Sequence, residues 1–171
     1  MPEGSDNKPR YYWDTCCFIH VLDVHSRKRA AQDEQAQQMV FFLEQAFREA
    51  VEGKVQLVTA ELLLAEILPV DDDHKNFLKQ VKACPYIELL AVSRQVFELA
   101  GRLRAEWRTH SRSDLKTPDA VHIATALLFK PDEMWTTDDR ILKLCNPSEG
   151  TYGELRIVRP HALPQMRLPD L

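Results

Sequence analysis

The stretch Tyr11-Tyr12-Trp13-Asp14-Thr15-Cys16-Cys17-Phe18-Ile19 reads as a strand that turns at once into a helix, with Asp14 at the junction. Outward from it, short runs that are apolar throughout alternate with segments of helical period. Residues 55–59, 86–92, 133–136 and 155–158 read as further strands. Helices are expected over residues 30–53, where Ala36, Met39, Val40, Leu43, Phe47, Ala50 and Val51 follow i, i+3, i+4, i+7 spacing up to a stop at Gly53. Others fall at 60–68, ended by Pro69, and at 75–84 after the capping acids Asp71 to Asp73. A further one starts at Ser93, another spans 119–129 behind Thr117-Pro118, and a short one spans 138–145. Strands without polar alternation belong to a parallel sheet covered on both faces, so the expected class is α/β, a three-layer sandwich with a central, mainly parallel sheet flanked by helices.

Composition narrows the field. The chain has 171 residues, 22 Lys+Arg against 26 Asp+Glu, and only 5 Gly. Few residues able to take positive φ argue against an all-β fold of tight hairpins. Residues 11–159 are expected to form one domain, with 1–10 a loose leader and 160–171, carrying Pro160, Pro164 and Pro169, an irregular tail. Four cysteines without a C-x-x-C pair signal neither a disulfide framework nor a zinc ribbon. No apolar run approaches the roughly 18 residues of a membrane span, so a cytoplasmic location is expected. Net acidity excludes blanket affinity for nucleic acid, which draws on concentrated Lys and Arg.

In a parallel sheet, ligands bind outside the carboxyl ends of the strands. Asp14, Glu66, Asp119 and Asp138 are expected there, the first three within or beside a strongly apolar stretch. Individually, Asp14 and Asp138 also fit helix N-caps, and Asp119 fits a first-turn acid favoured by the helix dipole. Glu66, among Leu62, Leu63, Leu64, Ile67 and Leu68, resists a capping explanation and would otherwise pair with an Arg. Two like charges about 4 Å apart repel by roughly 4 kcal/mol at an effective dielectric of 20. Converging carboxylates therefore call for a cation, and oxygen ligation suits Mg²⁺ or Mn²⁺, ions that commonly share their remaining positions with phosphate oxygens.

The segments Tyr12 to Ile19, Thr59 to Ile67, Pro118-Asp119-Ala120-Val121-His122-Ile123-Ala124-Thr125-Ala126 and Trp135-Thr136-Thr137-Asp138 resemble, in order and spacing, the motifs of PIN-domain ribonucleases. The resemblance implies a carboxylate cluster holding Mg²⁺ or Mn²⁺ and hydrolysis of RNA to a 5′-phosphate and a 3′-hydroxyl. It makes Asp14, Glu66, Asp119 and Asp138 the metal-binding, catalytic acids, with Thr136 and Thr15 supporting them. Small single-domain members are most often toxins of VapBC-type pairs, which implies an antitoxin partner and an RNA substrate. The broad apolar face of Met39, Val40, Phe42, Leu43 and Phe47 would serve that antitoxin, a second copy of the chain, or a deeper core. Alternatives within the family are a catalytically weak scaffold that binds RNA or protein, and a housekeeping RNA-processing nuclease.

Three features bear on that reading. Cys16 stands where the family often has Asn or Ser, which points to weakened activity or a preference for softer ions. Asp139 beside Asp138 blurs the fourth acid. Arg94, Arg102, Arg104, Arg108, Arg112 and Lys116 outnumber Glu98, Glu106 and Asp114 (6 − 3 = +3), so Arg104, Arg108, Arg112 and Lys116 are candidate guides for RNA, against the plainer reading of a solvated helix face. Gly150-Thr151-Tyr152-Gly153 reads as an ordinary turn, and His122 as a plain helix-surface or core histidine rather than a substrate contact.

Overall fold

Alternate residues of β1 (Arg10–Trp13) enter opposite layers: Tyr11 and Trp13 join one apolar core and Tyr12 the other. Side chains on a strand point to opposite faces with period two, so a strand covered on both faces is apolar at every position. The computed structural model describes residues 8–25, 34–110, 114–145 and 150–164. The leader over 1–7, the start of the helix expected from residue 30, Arg112 and the tail over 165–171 lie outside the described residues.

After β1 come α1 (Thr15–His25), α2 (Glu34–Val51), β2 (Gln56–Ala60), α3 (Leu63–Glu66), α4 (Asp72–Ala83) and β3 (Ile87–Leu90). The remainder is α5 (Arg94–His110), α6 (Thr117–Phe129), β4 (Glu133–Trp135), α7 (Asp139–Leu142), β5 (Thr151–Tyr152) and β6 (Leu155–Val158). The sheet order is β3-β2-β1-β4-β6-β5, parallel except for β5 against β6. Helices α1, α2 and α4 pack with Tyr11, Trp13, Leu57 and Trp135 on one face. Helices α5, α6 and α7 pack with Tyr12, Val58, Met134 and Ile157 on the other. This is the expected α/β sandwich.

Two expectations need correction. The apolar helix expected over 60–68 is a single turn, because β2 runs through Ala60 and Ile67 leaves the helix in extended conformation. Glu66 therefore ends α3 rather than standing deep in a helix. The expected turn at 150–153 keeps Gly150 and Gly153 as turn residues in the left-handed region, at φ 63° and 60°, but holds a two-residue strand between them, Thr151 and Tyr152 paired with β6.

Beyond β6 the chain turns back onto the sheet. Leu163 is buried in the first core, and His161 donates to Glu133 at 2.8 Å while lying 5.2 Å from the Trp135 ring. Glu133 also accepts from the Trp135 indole at 2.8 Å and pairs with Arg156 at 2.8 Å. Glu133 raises His161 above its ordinary 6.5. Burial pushes Glu133 up, but His161, Trp135 and Arg156 together bring it below its ordinary 4.5. The histidine contribution is complete below pH 6.5 and is lost as pH rises through its raised folded value. The glutamate contribution is lost as pH falls through its depressed one. His161→Ala should lower stability by up to about 1 kcal/mol, since solvent screens a half-exposed pair. The deficit in urea midpoint should be larger at pH 6 than at pH 8, and a deficit independent of pH would refute the ionic latch.

Candidate active site

β1 and β4 are neighbours from which the chain departs in opposite directions across the sheet, so the crevice at their carboxyl ends is the switch point where such folds bind ligands. Trp13 is in register with Trp135, which sets Asp14 beside Thr136. Asp14 is buried. Its Oδ2 accepts from the Thr136 hydroxyl, and its Oδ1 accepts from the Cys16 backbone N–H at 2.9 Å and from the Cys16 thiol. Thr136 Oγ1 in turn accepts from the Asp138 N–H at 3.0 Å, tying the acid after β1 to the loop after β4.

Burial, reinforced by Cys16, holds the Asp14 carboxyl well above its ordinary range against smaller opposing effects of His122 and Thr136. Hydrogen bonding with Cys17, joined by Asp14 and Thr137 against burial, holds the Cys16 thiol down at about 6. Cys16 also does what a hydroxyl or amide would do at its position: its sulfur accepts from Thr137 N–H at 3.2 Å and Thr137 O–H at 2.9 Å.

Glu66 meets a histidine, not an arginine. Its Oε2 accepts from the Thr15 hydroxyl and from His122 Nε2 at 3.0 Å, and these outweigh burial to bring the carboxyl below its ordinary value. The tautomer of His122 follows from the chain of bonds behind it. Tyr12 Oη accepts the Ala60 N–H at 3.2 Å, leaving its proton for His122 Nδ1 at 2.7 Å. A neutral ring that accepts at Nδ1 carries its proton on Nε2, where it donates to Glu66. His122 is 3% exposed, and its helix position one turn beyond Asp119 is the only sign the sequence gives of this role.

Tyr12→Phe should cost about 1–3 kcal/mol, the penalty for leaving buried Ala60 N–H and His122 Nδ1 without the hydroxyl. Urea unfolding measures it, and a loss under about 0.5 kcal/mol would mean that the relay behind Glu66 does not form.

Asp119, on the first turn of α6, lies 3.8 Å from the Arg140 guanidinium, which also grips Asp138. Burial raises Asp119, opposed by Arg140 and assisted by Asp138. Hydrogen bonds from Arg140 lower Asp138. Asp138 caps α7 through the Arg140 N–H at 2.8 Å, so its capping and its site placement coexist. Asp139 faces away to pair with Arg159, which sets Asp138 on the site side. Lys116, the residue before α6, acts electrostatically on both Asp119 and Asp138. Arg104 donates to the Leu115 carbonyl at 3.1 Å and Arg108 pairs with Asp114 at 3.0 Å, which commits both to the α5–α6 connection.

Arg140 and Lys116 act on Asp119 and Asp138; with Asp14 and Glu66 added, the four carboxylates outnumber these two cations by two at full ionisation (4 − 2 = 2), the charge a divalent cation neutralises. Asp14, Glu66 and Asp119 offer the hard oxygen donors such an ion takes. Among the described residues, the one set of three His, Cys, Asp or Glu side chains with ligand atoms all within 4.8 Å of one another is Asp14, Cys16 and Cys17. Cys17 is fully buried and donates to the Trp135 carbonyl at 3.4 Å, so it faces the core.

The acids lie at the carboxyl ends of a parallel sheet, the place where such folds bind ligands. The PIN domain model matches residues 11–147, and the chain belongs to the PIN domain family. Among solved structures, it is similar to a toxin–antitoxin complex from Klebsiella pneumoniae, at 19% identity and TM-score 0.55 over 90% of this chain and 99% of that one. VapBC2 from Rickettsia felis, bound to a promoter DNA fragment, superposes with TM-score 0.61 at 12% identity over 88% and 98% of the two chains. The Mycobacterium tuberculosis toxin VapC20, which cleaves the sarcin–ricin loop, gives TM-score 0.50 at 14% identity over 77% and 92%. No curated protein matches the sequence significantly.

Proposed function

We propose that the chain, through a unit spanning residues 11–159, is a divalent-metal-dependent endoribonuclease and the toxin of a VapBC-type pair acting in the cytoplasm. The observation that carries the reading is the gathering of the acids around shared partners: His122 bonds Glu66 and acts on Asp14 and Asp119, and Arg140 pairs with both Asp119 and Asp138. Asp14, Glu66 and Asp119 would hold Mg²⁺ or Mn²⁺. Bound there, the ion supplies charge neutralisation at a phosphate and a more acidic water.

The chain's own groups do the rest. Thr136 and the Cys16 N–H fix both oxygens of Asp14. Thr15 and His122 hold one oxygen of Glu66, so that its carboxylate orients a water toward the scissile phosphorus. Arg140 relieves repulsion between Asp119 and Asp138, and Lys116 draws the phosphate toward the crevice. Arg104 and Arg108, engaged by the Leu115 carbonyl and by Asp114, are weaker candidates for RNA than Lys116. The hydrogen bonds that the Cys16 sulfur accepts from Thr137 favour the cutting reading over the non-cutting scaffold.

The toxin reading is supported by the likeness to toxin–antitoxin structures and by α2. That helix buries Leu43, Ala46 and Ala50, packs Met39 and Phe47 against the core, and leaves Phe41 exposed. A groove of about 570 Å³ runs past Gln35, Met39 and Phe42 to Arg159 and Pro160, where an antitoxin segment or a second copy would seat. Incubation of purified protein with mixed tRNA and structured RNA, with Mg²⁺, Mn²⁺ or EDTA, tests the activity. Discrete products that EDTA abolishes are expected, and intact RNA under every metal would overturn the assignment.

A further inference from the structure

Beyond its hydrogen bonds to Asp14 and Thr137, Cys16 sets a soft donor atom in the acid crevice, within 4.8 Å of an Asp14 carboxylate oxygen. Its sulfur lies against Asp14 Oδ1 and 3.7 Å from Thr136 Oγ1 and accepts from Thr137 N–H and O–H, and the residue as a whole is half-buried. Cys17, its neighbour, faces the core instead, and Cys84 and Cys145 lie on other elements. An ion held by Asp14 would therefore meet a sulfur fixed by two hydrogen bonds.

We infer that the crevice takes a borderline-soft divalent ion, Zn²⁺ or Co²⁺, through Cys16 Sγ together with the Asp14 carboxylate, in preference to Mg²⁺. This rests on the metal-site reading above and deepens it. Thiolate ligands select Zn²⁺ over hard ions such as Mg²⁺, which favour carboxylate and water oxygens. On binding, the sulfur–metal bond forms and the thiol proton, now directed at Asp14, leaves to the buffer. Serine at this position would keep the hydrogen bonds to Asp14 and Thr137 while removing the soft donor, so the residue type, rather than the fold, sets the preference.

The test uses the full chain titrated with Co²⁺, followed by the near-ultraviolet sulfur-to-cobalt charge-transfer band, with Zn²⁺ affinity read by displacement of Co²⁺. Mn²⁺ binding is read in parallel from its electron paramagnetic resonance signal. Wild type and Cys84→Ser should show the band. Cys16→Ser should lose it, with Zn²⁺ affinity down at least about tenfold and Mn²⁺ binding little changed. A second readout stands if that variant fails to fold: in wild type, Zn²⁺ should protect Cys16 but not Cys84 from alkylation by iodoacetamide, followed by mass spectrometry. A site that binds Mn²⁺ but gives no band, a band that survives Cys16→Ser, or equal alkylation with and without Zn²⁺ overturns the thiolate ligand and leaves the carboxylate site standing. Failure to bind any of the ions takes down both.

Discussion

Asp119→Asn should reduce metal-dependent RNA cleavage at least about a hundredfold, the order lost when one preorganised group facing the reacting phosphate is removed, while the protein without metal holds or gains stability. The two halves of that result have one cause. Asp119 is raised above its ordinary 3.8, chiefly by burial, with Arg140 only partly opposing. An acid whose folded pKa exceeds its unfolded value disfavours folding once pH passes that folded value. Asparagine removes this penalty and one of the like charges facing Asp138, and it removes a metal ligand at the same stroke. The urea midpoint at pH 7 in EDTA, beside cleavage in Mn²⁺, measures both. A variant that cuts like wild type would remove Asp119 from the site, and one that unfolds would show that the carboxylate holds α6 in place. Asp14 is a poorer choice, because asparagine would point an amide N–H₂ at either the Cys16 N–H or the Thr136 hydroxyl, both of which donate to it.

The acids were legible because each is a carboxylate in an apolar setting, where chance placement is costly. Strands apolar at every position likewise disclosed a sheet covered on both faces. What lay beyond the sequence were the partners that let the acids coexist. Arg140 follows Asp138 by two residues and reads as a helix-surface cation, yet its guanidinium spans Asp138 and Asp119 because α6 and α7 abut at the same crevice. His122 reads as a core histidine because its partners, Tyr12, Thr15 and Glu66, come from three other segments that only the parallel order brings together. Single-turn α3 differs from the longer expected helix for a related reason: the four apolar residues in a row, Leu62 to Ala65, suit a buried helix and a strand end equally, and the pairing of β2 with β3 up to Ala60 and Leu90 decides between them.

The largest loss of stability should come from Trp13→Ala, about 3–5 kcal/mol, or a fall in Tm of roughly 6–20 °C for a chain of this size. Trp13 is fully buried, stacks on Trp135 at 6.0 Å and meets the edge of Phe18 at 5.2 Å. It thus joins β1, β4 and α1 directly beneath Asp14. Trp13→Phe should lose clearly less, because it keeps the aromatic contact and discards an indole N–H that has no acceptor among the described residues. Guanidinium unfolding of both variants measures the difference, and equal losses would mean that the indole is satisfied or that packing there is loose. The consequence reaches the chemistry. Asp14 is held by Thr136 from the strand that carries Trp135 and by Cys16 from the helix that carries Phe18. A cavity at residue 13 lets those two elements shift against each other, so Trp13→Ala protein that remains folded should bind Mn²⁺ more weakly although no ligand has been touched, whereas Trp13→Phe should bind it as wild type does.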